Sequence, residues 1–192
     1  ASSTRAEASQ VRVVAAPDKF RATGSATQVA AAVARAVARH GGSTTVLPMA
    51  DGGEGTLDVL GGPNRTTVVE GPLGGPVDAA WRLEGGTAVI EMARASGIAL
   101  VGGSADNRPL DATTTGTGQL ILDAVEKGAR RLIVGLGGSA TTDGGLGALA
   151  AMGSPARFRG VELLVACDVR TSFVEAAEVF GPQKGASPAQ VR

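Results

Sequence analysis

The chain has 192 residues, 43% of them hydrophobic and 19% charged, which suits one ordinary domain or two small ones that share a core. Its 18 basic and 18 acidic residues balance without a long run of either sign, so the clustered Lys and Arg that grip nucleic acid non-specifically are missing and no nucleic-acid partner is expected. Cys167 and His40 are each the sole residue of their kind, which excludes an intrachain disulfide and a Cys/His metal cluster; any metal needs oxygen ligands, as Mg²⁺ prefers.

Residues 1–10 are polar and lack the apolar core of a signal peptide, so a disordered tail is expected there. No apolar run is long enough to span a bilayer, which makes a cytoplasmic setting without a membrane partner the default. Residues 11–16 form a β-branched run halted by Pro17 and Asp18, a buried strand. Residues 25–40 are rich in Ala, Val and Arg, with Val29, Val33 and Val37 at four-residue spacing. That is an amphipathic helix, closed by Gly41 and Gly42, with His40 electrostatically welcome at its C-terminus. A second strand over 44–47 completes a strand–helix–strand unit, which predicts a parallel crossover.

The strand-like stretches at 66–69, 79–83 and 87–92 are separated by Gly-Pro turns and read as a small β-rich meander or insertion. Residues 118–127 carry Leu120, Ile121, Ala124 and Val125 on one helical face, ended by Gly128. A strand at 132–136, a small-residue helix at 144–152 and a strand at 163–166 follow. Cys167, at the end of that last strand, reads as a small core residue, and Trp81 as core or rim. The 29 glycines lie between apolar runs, so they punctuate structure as turns and as backbone that approaches a ligand.

Several polar loops follow predicted strands, where ligands collect in open α/β sheets. In Gly137-Gly138-Ser139-Ala140-Thr141-Thr142-Asp143-Gly144-Gly145, a strand ends in a glycine loop that opens a helix. Exposed N–H groups and the dipole's positive end favour phosphate or carboxylate there. Ser139 and Thr141 add hydroxyls, and Asp143 can hold Mg²⁺ or orient a nucleophile. No Lys follows the glycines, so this is not a Walker A loop. The same residues also suit a turn that packs strand on helix with a plain Ser or Thr cap. In Asp51-Gly52-Gly53-Glu54-Gly55-Thr56, two carboxylates three positions apart can coordinate a metal or accept a hydroxyl proton. Taken alone, a helix-capping role for Asp51 or Thr56 is the commoner explanation. Asp18 can receive a proton, and Lys19 and Arg21 can hold a carboxylate or phosphate, although each also suits a solvated loop. The threonines of 111–118 and Lys184, in Phe180-Gly181-Pro182-Gln183-Lys184-Gly185, are polar and turn-like. Lys184 can offset phosphate charge or decorate a surface turn.

Six of these blocks stand in one order: Ala16 to Phe20, Ala50 to Thr56, Gly116 to Gly118, Gly137 to Gly145, Ala166 to Val169, and Phe180 to Ala186. In that order they resemble the bacterial glycerate kinases, nearly throughout the chain after Gln10. The chain departs from the family pattern at Arg21 to Ser25 and at Arg170 to Ser172, is shorter near 152–160, and stops at about half the family length.

The resemblance implies an α/β fold of two α/β domains flanking a cleft, one of them Rossmann-like with a parallel sheet. The expected segments are 11–76 for the Rossmann-like part and 77–192 for a second domain bearing the phosphate loop. It implies ATP, Mg²⁺ and phosphorylation of D-glycerate, commonly at the 2-hydroxyl. On this chain the implied sites are Asp51, Glu54 and Asp143 for catalysis and Asp18, Lys19 and Arg21 for glycerate. Gly137, Gly138, Ser139, Thr141 and Lys184 would take the nucleotide phosphates, and Asp143 and Asp168 the metal. Which carboxylate acts as base stays open, as does a homodimeric assembly. A non-catalytic nucleotide- or anion-binding module derived from such a kinase is the alternative, and a sugar or mevalonate-type kinase a weaker one.

Overall fold

The computed structural model describes residues 11–20 and 23–191, in two compact units that divide between Ala50 and Asp51. The expected tail at 1–10 and the substrate-binding candidate Arg21 lie outside the described residues.

In the first unit, β1 (Arg12–Ala15) pairs in parallel with β2 (Ser43–Val46), Arg12 against Ser43 and Ala15 against Val46. A parallel pair needs a crossover, and α1 (Ala26–Arg39) supplies it. The helix starts sharply because Ser25 and Gln28 form a reciprocal capping box: the Ser25 hydroxyl accepts from the Gln28 N–H, and the Gln28 side chain accepts from the Ser25 N–H. It ends at His40, as the sequence predicts, and Ala26 and Ala30 form its buried face.

The second unit is built on one five-stranded sheet in the order β3 (Arg65–Glu70), β4 (Pro76–Glu84), β5 (Thr87–Glu91), β6 (Arg131–Gly135), β7 (Glu162–Ala166). Strands β3, β4 and β5 are antiparallel neighbours, whereas β5, β6 and β7 run parallel. The stretch expected as a meander or insertion is therefore the antiparallel half of the main sheet. The reason is β5, which pairs with β4 on one side and β6 on the other. The expected boundary at 76/77 would cut the β3–β4 ladder, in which Val69 pairs with Val77 and Thr67 with Ala79. The structure is the mixed α/β class that the sequence suggests.

Patterning explains each strand's place. Strand β5 is central and almost wholly buried after Thr87, so Ala-Val-Ile runs apolar without alternation. Strand β4 alternates, burying Ala79 and Trp81. Helix α4 (Thr115–Glu126) covers this region with Leu120, Ile121, Ala124 and Val125 against Val69, Ala88, Ile90, Leu132 and Val134. Edge strand β7 is different: Leu163, Leu164 and Val165 are 49%, 36% and 54% exposed. Cys167 beyond it is exposed too, which corrects its expected core placement, because β7 has a sheet neighbour on one side only. Among the described residues no helix is long and apolar enough to cross a membrane.

Trp81 is fully buried, and its indole N–H donates to the Thr67 hydroxyl at 3.0 Å. That hydroxyl donates in turn to Asp123 of α4 at 2.6 Å, and Lys127 pairs with the same carboxylate oxygen at 2.7 Å. The Lys127 ammonium also lies 5.7 Å from the Trp81 ring centroid. Thr67→Val removes the partner of a buried donor, and the expected cost is about 1–3 kcal/mol. Urea unfolding measures it; a midpoint unchanged from wild type would mean the indole N–H does not depend on Thr67.

Candidate functional site

The second unit gathers its polar loops at the carboxyl ends of β5, β6 and β7, and close backbone packing brings them there. The Gly137 N–H donates to the Gly52 carbonyl at 3.0 Å, and the Leu136 N–H to the Ala166 carbonyl at 3.2 Å. A methyl built on Gly137 collides with the Cα of Gly53, one on Gly135 with the Gly52 carbonyl, and one on Gly52 with the Ala166 carbonyl. The Asp51–Thr56 loop is thus seated on the ends of β6 and β7, at distances that only glycine permits. A second seam runs from the end of α3 (Ala93–Ser96) to Ile98: the Ala140 N–H donates to the Ser96 carbonyl and the Ile98 N–H to the Gly138 carbonyl, both at 2.9 Å.

Helix α2 (Thr56–Val59) starts at Gly55, in the left-handed region at φ 95°, and neither Asp51 nor Thr56 caps it. The Thr56 hydroxyl donates to the Gly53 carbonyl at 2.7 Å, and the Asp51 carboxylate accepts from the Gly53 N–H at 2.8 Å. Both close the loop on itself and leave the N-terminus of α2 to another group, Glu91. Glu91 is 1% exposed at the end of β5. One carboxylate oxygen accepts from the Leu57 N–H at 2.7 Å and the other from the Arg94 side chain at 3.0 Å. A buried carboxylate satisfied on both oxygens, with a cation beside it, ties the Asp51 loop to the sheet. The sequence reading missed it, although a single acid after Ala-Val-Ile is a visible signal.

Asp143 is held at four points. One of its oxygens accepts from the Thr114 N–H (2.8 Å), the Thr114 hydroxyl (2.7 Å) and the Gly147 N–H (3.1 Å), and the other from the Gly145 N–H (3.1 Å). The Thr114 hydroxyl accepts in turn from the Ala148 N–H at 2.8 Å. Asp143 thereby joins the start of α4 to the start of α5 (Leu146–Met152). Burial pushes its carboxyl pKa up, but the bonds from Thr114, Gly145 and Gly147 together outweigh burial and hold it below the ordinary value. The oxygen facing Gly145 has spent one lone pair and can still serve a cation.

Lys184 reaches this loop from the Pro182–Lys184 turn. Its ammonium donates to the Ser139 hydroxyl and to the Thr141 carbonyl, the latter at 2.7 Å. Burial pushes its pKa down, and the Asp143 charge opposes that. The structure therefore brings together Gly137, Gly138, Ser139, Thr141, Asp143 and Lys184, with Asp51 and the exposed Glu54 on the adjoining loop. Asp168 is exposed beyond β7, and among the described residues no group of three or more His, Cys, Asp or Glu is placed to hold a metal ion. Asp18 and Lys19 belong to the first unit, where the Asp18 carboxylate accepts from the Lys19 N–H at 2.6 Å.

A model of the glycerate kinase family matches residues 13–157. The chain is 40% identical to a glycerate kinase of Halalkalibacterium halodurans, over 94% of this chain and 57% of that protein. It is 38% identical to the glycerate 2-kinase of Escherichia coli K12, over 94% and 58%. A crystal structure described as a glycerate kinase 2 of Salmonella typhimurium LT2 superposes with a TM-score of 0.75 at 34% identity, covering 95% of this chain and 59% of that one. The chain spans under three fifths of the length of these relatives.

Two outcomes follow from the packing and the carboxylate. Gly137→Ala forces apart two backbones and is expected to cost about 1–3 kcal/mol, as overpacking does. Gly128→Ala, far from this loop in the sequence, meets open space and carries only the left-handed penalty of about 1–2 kcal/mol. Because only Gly137→Ala shifts the Asp51 loop, amide exchange at 51–56 should quicken in that variant and not in Gly128→Ala; equal exchange would refute the seam. For Asp143, a folded pKa below the unfolded value of about 3.9 means its stabilisation is complete above that value. It is lost as pH falls through the folded pKa. In Asp143→Asn the unfolding midpoint should therefore start lower at neutral pH and decline less steeply below about pH 4; parallel wild-type and variant curves would exclude the linkage.

Proposed function

The chain belongs to the glycerate kinase family, and on that premise we propose that it serves ATP-dependent transfer of a phosphoryl group to D-glycerate, at the 2-hydroxyl. The observation that carries the reading is the Lys184 ammonium bonded across the 137–143 loop at the carboxyl edge of parallel strands. A half-buried cation over a glycine loop with free hydroxyl and N–H donors is chemistry for a polyphosphate tail.

In this reading the Gly138 N–H, the Ser139 and Thr141 hydroxyls and Lys184 receive the phosphate oxygens of ATP, while Gly137, its N–H spent on the Gly52 carbonyl, contributes a backbone without a side chain in the way. Asp143, through its oxygen facing Gly145, and Asp168 supply ligands for Mg²⁺, whose charge offsets that of the phosphates. Asp18, Lys19 and Arg21 take the glycerate, the two cations matching its carboxylate. The attacking oxygen forms its bond to the γ-phosphorus while the bond to the ADP oxygen breaks, and the hydroxyl proton passes to a carboxylate. Asp51 and Glu54 are the acids on the adjoining loop for that proton. Phosphoryl transfer asks mainly for positioning and charge neutralisation, which a seated loop and a fixed ammonium provide. The cytoplasm and a homodimer complete the proposal; the lack of a membrane-spanning helix among the described residues accords with the former.

The test is ADP release from ATP and Mg²⁺, coupled to an optical readout, with and without D-glycerate, and ³¹P NMR of the product to locate the phosphate. Release that depends on glycerate is expected, and Lys184→Met should lower kcat/KM for ATP by about 100-fold, the scale of one lost donor to developing charge. ATP binding without glycerate-dependent release would overturn the kinase and favour a nucleotide-binding module.

A further inference from the structure

Asn107 precedes α4 in the chain, is 8% exposed and has no role so far. Its side-chain amide donates to the Ala140 carbonyl at 2.8 Å and to the Lys184 carbonyl at 2.8 Å. Both partners are acceptors, so the amide can face them only with its NH₂ group; turned over, its oxygen would oppose two carbonyls. Its Oδ1 is buried without a hydrogen-bond partner. An orphaned buried acceptor is costly, so the gain from this side chain lies wholly in its two donors.

Those donors close a ring. Ala140 sits between Ser139 and Thr141, the two residues that the Lys184 ammonium grips, and Asn107 binds the backbone of both Ala140 and Lys184. Lys184 is therefore fixed at both ends, its backbone by Asn107 and its ammonium by the loop. Gly185 next to it packs so tightly on Ser104 that a methyl there would strike the Ser104 carbonyl. The segment carrying Asn107 thus forms a floor under the lysine turn. A flexible four-carbon side chain loses much rotamer freedom when its ammonium is held, and anchoring its backbone reduces what remains to be ordered when an anion arrives.

We propose that Asn107 is the positioning residue that holds Lys184 over the anion-binding loop and thereby sets affinity for the phosphate tail, an inference that rests on the reading of Lys184 as a phosphate contact. Asp143 is the charged group that acts on Lys184, and its own hydrogen bonds come from Thr114, Gly145 and Gly147, not from Asn107.

The experiment compares wild type with Asn107→Ala and Asn107→Ser, by two readouts. The first is the rate of amine-reagent labelling at Lys184 as a function of pH, followed by peptide mass spectrometry, which needs no catalysis. In Asn107→Ala, the limiting rate at high pH, where the amine is neutral, should quicken because the side chain is released from Ser139 and Thr141, and the midpoint should move up toward that of an ordinary lysine as burial is relieved. The second is KM for ATP in the ADP-release assay, expected to rise about tenfold, the equivalent of one weakened charge-assisted bond, while KM for D-glycerate stays within about twofold. Asn107→Ser keeps one donor and should fall between the two, and it serves alone if Asn107→Ala does not unfold cooperatively. Unchanged Lys184 labelling in a folded variant would overturn the proposal, leaving Asn107 as a structural residue. If wild type shows no glycerate-dependent turnover while the labelling shift is present, the kinase reading fails and the positioning of Lys184 by Asn107 stands.

Discussion

The site depends on backbone meeting backbone without side chains between. Gly52, Gly135 and Gly137 lie where a single added methyl strikes a neighbouring main-chain atom. Their contact seats the loop bearing Asp51 and Glu54 on the ends of β6 and β7. Hydrogen bonds from Gly137 to Gly52 and from Leu136 to Ala166 become possible only at that separation. A chain rich in glycine gives up conformational entropy on folding, and here the return is a set of loops packed backbone to backbone at the ends of β6 and β7.

Onto that frame the protein places carboxylates whose first duty is structural. Glu91 is buried beneath the Asp51 loop and satisfies the start of α2, while Asp143 satisfies the starts of α4 and α5. A carboxylate bonded by several N–H groups is held in its charged state and in one orientation. Such a group can then face a cation without reorganising, which is what a preorganised site requires. Asp143 thus joins a capping role to a place where its charge acts on Lys184.

Much was legible in advance. The periodicity of Val29, Val33 and Val37 located α1, and the apolar face of Leu120, Ile121, Ala124 and Val125 located α4. The order of the glycine blocks identified the family that the comparisons support. Less legible was the partnership of elements. Residues 66–92 look like an insertion because antiparallel strands with tight turns are locally self-sufficient; only pairing of Ile90 with Val134 reveals that β5 joins them to the parallel strands. Cys167 reads as core from its apolar neighbours, but exposure depends on what lies beyond an edge strand, which local pattern does not encode.

By itself, the sequence determined the elements, their punctuation and the residue types of the candidate site, because these follow from short-range sterics and from the period of apolar side chains. Tertiary structure alone decided that Lys184 meets Ser139 and Thr141, that Glu91 caps a helix 34 positions earlier, and that Asn107 links two carbonyls from distant segments. Those contacts arise from satisfying buried polar groups across the fold, a requirement imposed by desolvation after the chain has closed. No local window of sequence contains both partners.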